Sequence, residues 1–438
     1  MLKHLALTNV GPANTLEMNL SPRLNLITGD NGLGKSFLLD VTWWALTRRW
    51  PQEVNQNLTS GYVAKPNDKE VPASIEFSLD SKTRTVSYTS RYSPRDEAWL
   101  GKSGRPWNPG LVIYAHADGG FSVWDPARNY WLKRGNVDVQ ERIPAYVFTP
   151  QQVWDGLTVD LNGKDARVCN GLIADWAGWI REKGISAKRM QTLLNNLAPS
   201  DAPSDQLKVA PSLGRLSLND SRDVPMLRTP YGVDVPIVSA SSGVKRIVAL
   251  AYMLMWSWNE HRLAVKELGE ERATQVTLLV DEIEAHLHPK WQRSILRSVL
   301  DLAKVMHAQA SVQLIAATHS PMILASAEPL FNAKTDAWFD LDLVKGKGTA
   351  MHVELSQREF VRRGDISHWL TSNAFDFKEA RSLEAEKAIG DAFKLIRGKS
   401  KNEVDILRVN KQLRDALGEV DRFWLRWEEY RQSIRGAK

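Results

Sequence analysis

Cysteine is almost missing from this chain. Cys169 is the only one in 438 residues, which rules out a framework of intrachain disulfides and fits a reducing compartment. Long apolar runs are scarce as well. The longest, Ile247 to Trp256, has ten residues, about half of what a membrane span needs, and reads as a buried helix. The opening residues, MLKHLALTNVGPANTLEMNL, show neither the basic start nor the apolar stretch of a secretory signal. A cytoplasmic protein with no membrane partner is therefore the expectation. Charge is not concentrated either. Lys and Arg number 57 against 51 Asp and Glu, a formal net charge of +6, and no block of five like charges occurs. That excess permits a nucleic-acid partner without requiring one. Internal repeats and low-complexity tracts are absent, and ordinary proportions of apolar (43%) and charged (25%) residues argue against wholesale disorder.

The patterning that is present points to an α/β protein. LKHLALTNV and RLNLITGD alternate apolar and polar residues in the manner of strands. KSFLLDVTWWALTRRW then places Phe37, Leu38, Val41, Trp44 and Ala45 at helical spacing. From about 70 to 150, short alternating segments (ASIEFSL, RTVSYTS, LVIYAHA, FSVWD, YWLKRG) broken by Gly, Pro and Asp read as an inserted antiparallel β subdomain. Residues 165–197 read as helical, 199–236 as Pro- and Ser-rich hairpins, and 244–262 as a helix, together a helical lobe over about 165–262. Two buried strands follow, TLLVD and VQLIAA, with a helix between them starting near Pro289. One domain is thus expected over 1–355 and a charged helical region over 356–438. There Ile406, Val409, Leu413, Leu417, Val420, Trp424 and Trp427 form a stripe spaced by threes and fours, suited to docking on the chain's own core or on a partner helix. The 17 tryptophans, including Trp43, Trp44, Trp176, Trp179, Trp256 and Trp258, fall at core spacing and read as packing.

GDNGLGKS, Gly29 to Ser36, satisfies G-x-x-x-x-G-K-[ST] in full. Its glycines let backbone N–H groups turn inward on phosphate oxygens, with Gly29, Asp30, Asn31, Gly32, Leu33 and Gly34 forming the cradle. Lys35 reaches the outer phosphates, the Ser36 hydroxyl suits Mg²⁺, and the helix through Phe37 offers its positive end to the same anion. The implied ligands are ATP and Mg²⁺. In VTLLVDEIEAHLHP, Asp281 and Glu282 end an apolar β-branched run. In a parallel sheet buried on both faces that end opens on the ligand crevice. Asp281 would hold Mg²⁺ and Glu282 would polarise the attacking water. His286 and His288 lack the partners of a metal site. A second apolar strand ends in Thr318-His319-Ser320.

The ordered set GDNGLGKS, SASSGVKR, LLVDEIEAHLHP, ATHSP resembles the ABC-type ATPases of the SMC, RecF and OLD-nuclease superfamily. Within it the chain is similar to the compact AAA-type ATP-binding proteins of bacterial phage-defence operons, the Septu PtuA-like proteins. The fold this implies is an ABC-type P-loop NTPase with an inserted antiparallel β subdomain and a C-terminal helical region. By the same resemblance SASSGVKR is a signature loop, in which Ser241, Ser242 and Gly243 reach the γ-phosphate held by a second subunit's Lys35 and Arg246 stiffens the loop. His319 would sense that phosphate, and Gln151 or Gln152 of FTPQQVWDGL would be the Mg²⁺-sensing glutamine. The coiled coil of true SMC proteins is missing, as is any His/Cys nuclease motif, and FDLDLV (339–344) reads as a strand rather than a TOPRIM acid pair. The resemblance therefore implies an ATPase that forms a homodimer or higher homo-oligomer and regulates a separate effector, a nuclease or toxin. Alternatives are a RecF-like ATPase that clamps DNA, with Arg48, Arg49, Lys290, Arg293, Arg297, Arg358, Arg362 and Arg363 as phosphate contacts, or a slow-turnover ATP switch. A transporter subunit fits less well.

Overall fold

The computed structural model describes residues 1–80, 85–101, 104–161, 163–306, 310–345, 351–398 and 402–435, the side chains of 302–306 and 435 excepted. The chain divides into two compact units, Met1–Arg362 and Arg363–Lys438.

The first unit is built on an eight-stranded sheet. Five neighbouring strands run parallel, in the order Leu111–Ala115, Gln275–Val280, Ser311–Ala317, Leu24–Gly29 and Asp336–Lys345. Antiparallel strands complete both edges, Phe121–Trp124 and Tyr146–Phe148 on one side and Met351–Arg358 on the other. The apolar runs are the central strands: Leu24, Leu26 and Ile27, then Leu278, Leu279 and Val280, then Leu314 to Ala317 are all nearly solvent-free. A sheet covered on both faces requires this continuous hydrophobicity. All five parallel strands end on the same side, so the residues just after Gly29, Val280 and Ala317 converge there. FDLDLV lies inside Asp336–Lys345, hydrogen-bonded on both sides as an ordinary strand.

A second, antiparallel sheet joins Leu2–Thr8 and Thr15–Asn19 to Ser74–Asp80, Thr85–Ser93 and Ala98–Trp99. The antiparallel region expected at 70–150 is thus shared out. Its first strands extend the N-terminal hairpin, whereas LVIYA enters the central sheet parallel to Gln275–Val280. Between the sheets lies the helix Lys35–Thr47, whose Leu38, Leu39, Val41, Trp43, Trp44 and Ala45 are buried in one core with Ile75, Phe77 and Trp99. Burial of Trp43, Trp44, Trp176 and Trp256 makes these rings packing elements, each contributing roughly 2–3 kcal/mol or more of transfer energy.

The lobe beyond 150 departs from expectation at one point. Residues 165–169 are a strand paired with Leu157–Asp160, and helix begins only at Leu172. Leu172–Glu182 and Ile185–Leu197 then form two helices, followed by a three-stranded sheet. The helix placed at 244–262 is longer, running 27 residues over Ser242–Leu268 to a left-handed Gly269.

In the second unit, helices Leu383–Arg397, Glu403–Ala416 and Phe423–Arg435 enclose a small core of Ala388, Ile389, Val409, Leu413, Phe423 and Trp427. The stripe read as one face is broken by a turn: the helix stops at Leu417, and Val420 is 96% exposed. Its other apolar residues pack against helices of their own unit.

Candidate functional site

Gly29, at the end of its strand, has φ +137, and a Cβ there would come 2.4 Å from the Leu341 carbonyl oxygen of the neighbouring strand. Only glycine lets the chain leave the sheet at this point. Asp30, Asn31 and Gly32 are exposed, while Leu33 turns into the core. Left-handed Gly34 precedes the helix that starts at Lys35. Phe37 packs on Gly11, in the turn between Leu2–Thr8 and Thr15–Asn19, so it braces the loop from behind. Lys35 is only 4% exposed, and its Nζ donates to the carbonyls of Gly29 (2.7 Å) and Asp30 (2.8 Å). Burial lowers its pKa, and the charges of Asp281 and Asp30 oppose that fall.

Asp281 follows the central strand and is 3% exposed. Burial raises its pKa, countered by the adjacent Ser36 hydroxyl. Its Oδ1 is buried without a hydrogen-bond partner among the described residues. An orphaned carboxylate oxygen beside a serine hydroxyl is the hard-oxygen donor pair that Mg²⁺ takes, so the residues present fit the metal.

Glu282 has φ +45, a conformation non-glycine residues adopt at a cost. Its carboxylate stays about half open, with Oε1 3.8 Å from His319 Nε2, too long for a hydrogen bond. Desolvation, then the Lys35 charge, lowers the His319 pKa, which leaves the imidazole neutral at pH 7.

Two residues tie these parts together. Glu284 Oε2 accepts from the Thr318 hydroxyl (2.7 Å) and Oε1 from the His319 backbone N–H, fastening the histidine loop to the turn after the acid pair. Burial raises its pKa. The Arg246 guanidinium donates to the carbonyls of His116 (2.7 Å), Ala117 (3.0 Å) and Asp281 (2.9 Å). It is therefore spent on backbone and positions the start of the helix Ser242–Leu268 against the Asp281 strand. Gly243 completes that contact, since a Cβ there would sit 2.6 Å from the His286 carbonyl oxygen. Sequence reasoning gave Glu284 no role. Its only signal was a third acid in DEIE, and its partners lie 34 and 35 positions away.

Ser241 caps this 27-residue helix, and Ser241 and Ser242 are exposed. Neither is hydrogen-bonded to the phosphate loop of its own chain among the described residues. Gln152 Oε1 accepts from Thr149 N–H (2.9 Å) and Asn55 Nδ2 (2.7 Å), so the structure uses it as a helix cap. Gln151 is exposed, its amide 3.4 Å from Asp155. His288 caps the turn at Pro289, and no group of three or more metal-binding side chains occurs among the described residues. Of the basic residues weighed for DNA, Arg48 is enclosed by Trp44, Phe77 and Tyr88. Arg358 pairs with Asp340 and Asp342, and Lys290 with Asp205.

Strand, phosphate loop and helix, set in a parallel sheet whose C-terminal edge also carries Asp281, make this a P-loop ATPase fold of the ABC type. The profile of the AAA_21 family, described as "AAA domain, putative AbiEii toxin, Type IV TA system", matches residues 24–325, and the chain belongs to that family. It is 20% identical over 333 residues to the Septu protein PtuA of Bacillus thuringiensis, covering 75% of this chain and 74% of that one. It is 29% identical over 131 residues to the "Retron Vc95 probable ATPase" of Vibrio cholerae serotype O1 biovar El Tor, covering 28% of this chain and 23% of the relative. A second Septu PtuA, from Bacillus mycoides (strain KBAB4), is 29% identical over 126 residues, 27% of this chain and 16% of the relative. The chain thus spans less than a quarter of the length of the last two relatives. Among solved structures, the SMC head domain from Thermotoga maritima shares 15% identity at a TM-score of 0.36, covering 82% of this chain and 99% of that one. The SmcHead bound to the C-winged helix domain of ScpA shares 15% identity at 0.40, covering 81% and 98%. Among the described residues no helix is long and apolar enough to cross a membrane.

Proposed function

We propose that this chain is an ATP-hydrolysing subunit that closes head-to-head on ATP and regulates a separately encoded effector, a nuclease or toxin, in phage defence. Lys35 and the loop N–H groups would take the phosphates, the lysine exchanging its bonds to Gly29 and Asp30 for phosphate oxygens. Ser36 and Asp281 would hold Mg²⁺, which supplies charge compensation at the phosphates when bound. Glu282 would orient the attacking water, and neutral His319 would contact the γ-phosphate edge. Domain 1–355 would be the ATPase and 356–438 the region for docking or partner contact. The defence role is supported by the likeness to Septu PtuA and to a retron ATPase, and the family's description names a toxin.

The single observation carrying closure is the exposed start of the helix Ser242–Leu268. Ser241, Ser242 and the free N–H groups of that helix form an anion site held rigidly to the Asp281 strand by Arg246, yet turned to solvent. A second subunit's nucleotide would complete it. The test is ATP turnover and molecular mass, with and without ATP, for wild type, Lys35→Ala and Glu282→Gln. Glu282→Gln should accumulate as an ATP-bound dimer and Lys35→Ala should remain unassembled. Wild-type turnover by Glu282→Gln, or a mass indifferent to ATP in every variant, overturns the reading.

A further inference from the structure

The far end of the phosphate-loop helix carries a cavity that the ATPase reading does not use. Its volume is about 600 Å³, within the range of small-molecule sites. Tyr88, Trp99, Trp107, Trp124 and Trp131 line it, together with Arg48 and Arg49 just past the helix end. The helix Lys35–Thr47 has 13 residues, so about 20 Å separates this cavity from the phosphate loop. A ligand here would not compete with ATP at Lys35.

The charge in this wall is unbalanced. The Arg48 guanidinium lies 4.1 Å from the ring centre of Phe77, 4.6 Å from that of Tyr88 and 5.3 Å from that of Trp44. These faces attract the cation but accept none of its five N–H donors in the plane of the group. Among the described residues Arg48 has no side-chain hydrogen bond and no ion pair, and neither does Arg49. Burial depresses the Arg48 pKa to about 10, so it is still a cation at neutral pH. Buried charges are ordinarily paired. Here the third arginine of the cavity, Arg105, has its acid, Asp138, at 3.0 Å, whereas Arg48 and Arg49 have none.

An unpaired guanidinium calls for an anion, and the aromatic side chains in the same wall call for a flat, unsaturated ligand. A bare phosphate would waste the rings, and an apolar molecule would leave the half-buried Arg48 uncompensated. We infer that this cavity binds a nucleotide unit, its base against the tryptophans and its phosphate on Arg48 and Arg49, either as a free mononucleotide or as the end of a single strand.

The test uses the full chain carrying Lys35→Ala, which removes phosphate-loop binding. The four ribonucleoside monophosphates, inorganic phosphate and a short 5′-phosphorylated oligothymidylate are titrated in turn while tryptophan fluorescence is read. Saturable quenching by a monophosphate identifies a free nucleotide as the ligand; quenching by the oligonucleotide alone identifies a strand end. Arg48→Gln should weaken that binding about tenfold or more, the loss expected for a charge-assisted hydrogen bond. Arg49→Gln, at the rim, should weaken it in the same direction and serves if Arg48→Gln fails to fold. Absence of quenching by every nucleotide probe overturns the inference. So does equal quenching by inorganic phosphate, or an affinity unchanged in the arginine variants.

Discussion

Asp40 sits one turn beyond Ser36 on the phosphate-loop helix, accepting the Tyr114 hydroxyl at 3.0 Å. Burial, with the Asp281 charge adding to it, raises its carboxyl from 3.8 to about 7. A carboxyl whose pKa is higher in the folded state binds its proton more tightly there. Its contribution to stability is therefore full below about pH 4 and is lost progressively until pH passes 7. Each pH unit between the two values costs about 1.4 kcal/mol, an upper limit of about 4 kcal/mol. The residue keeps some contact with solvent, which reduces this to about 2 kcal/mol. Asp40→Asn keeps the shape and the acceptor for Tyr114 but has no charge to desolvate. Without nucleotide or Mg²⁺, urea denaturation should show the variant within about 0.5 kcal/mol of wild type at pH 4 and more stable by about 2 kcal/mol at pH 8. An equal difference at both pH values, or a variant less stable at pH 8, refutes the reasoning.

Arg246→Ala strips donors from three carbonyls that the fold buries together. It should lower stability by about 3 kcal/mol and reduce ATP turnover, checked by urea denaturation and phosphate release. Glu284→Gln cannot accept from both Thr318 and His319 as a carboxylate does; turnover should fall about tenfold with nucleotide affinity nearly unchanged, measured by steady-state kinetics and equilibrium titration. Because burial and Lys35 depress the His319 pKa, the acidic decline in turnover should set in at a lower pH than an ordinary imidazole would give. A pH–rate profile whose acidic limb persists in His319→Gln assigns that limb to another group.

The phosphate loop was legible from residues alone because its chemistry is local. Gly29 to Ser36 form one continuous turn, and the flanking alternation and helical spacing supply its strand and helix. The same holds for Asp281, whose position at the end of an apolar run follows from the period of the strand. Local pattern misled where two structures share a composition: residues 165–169 are polar enough for a helix start yet pair as a strand with Leu157–Asp160. It also could not reveal that LVIYA leaves the antiparallel region to lie beside Gln275–Val280, since sheet order depends on contacts more than a hundred positions apart. Sequence alone therefore determined that a glycine loop between strand and helix, an acid at a strand end and a histidine at another exist. Tertiary structure decided what each faces. Arg246 became a brace for Asp281, Glu284 a clasp on His319, Gln152 a cap, and Arg48 a half-buried cation without an acid among the described residues. The roles of Arg246 and Glu284 are fixed by partners that only folding brings within hydrogen-bonding distance.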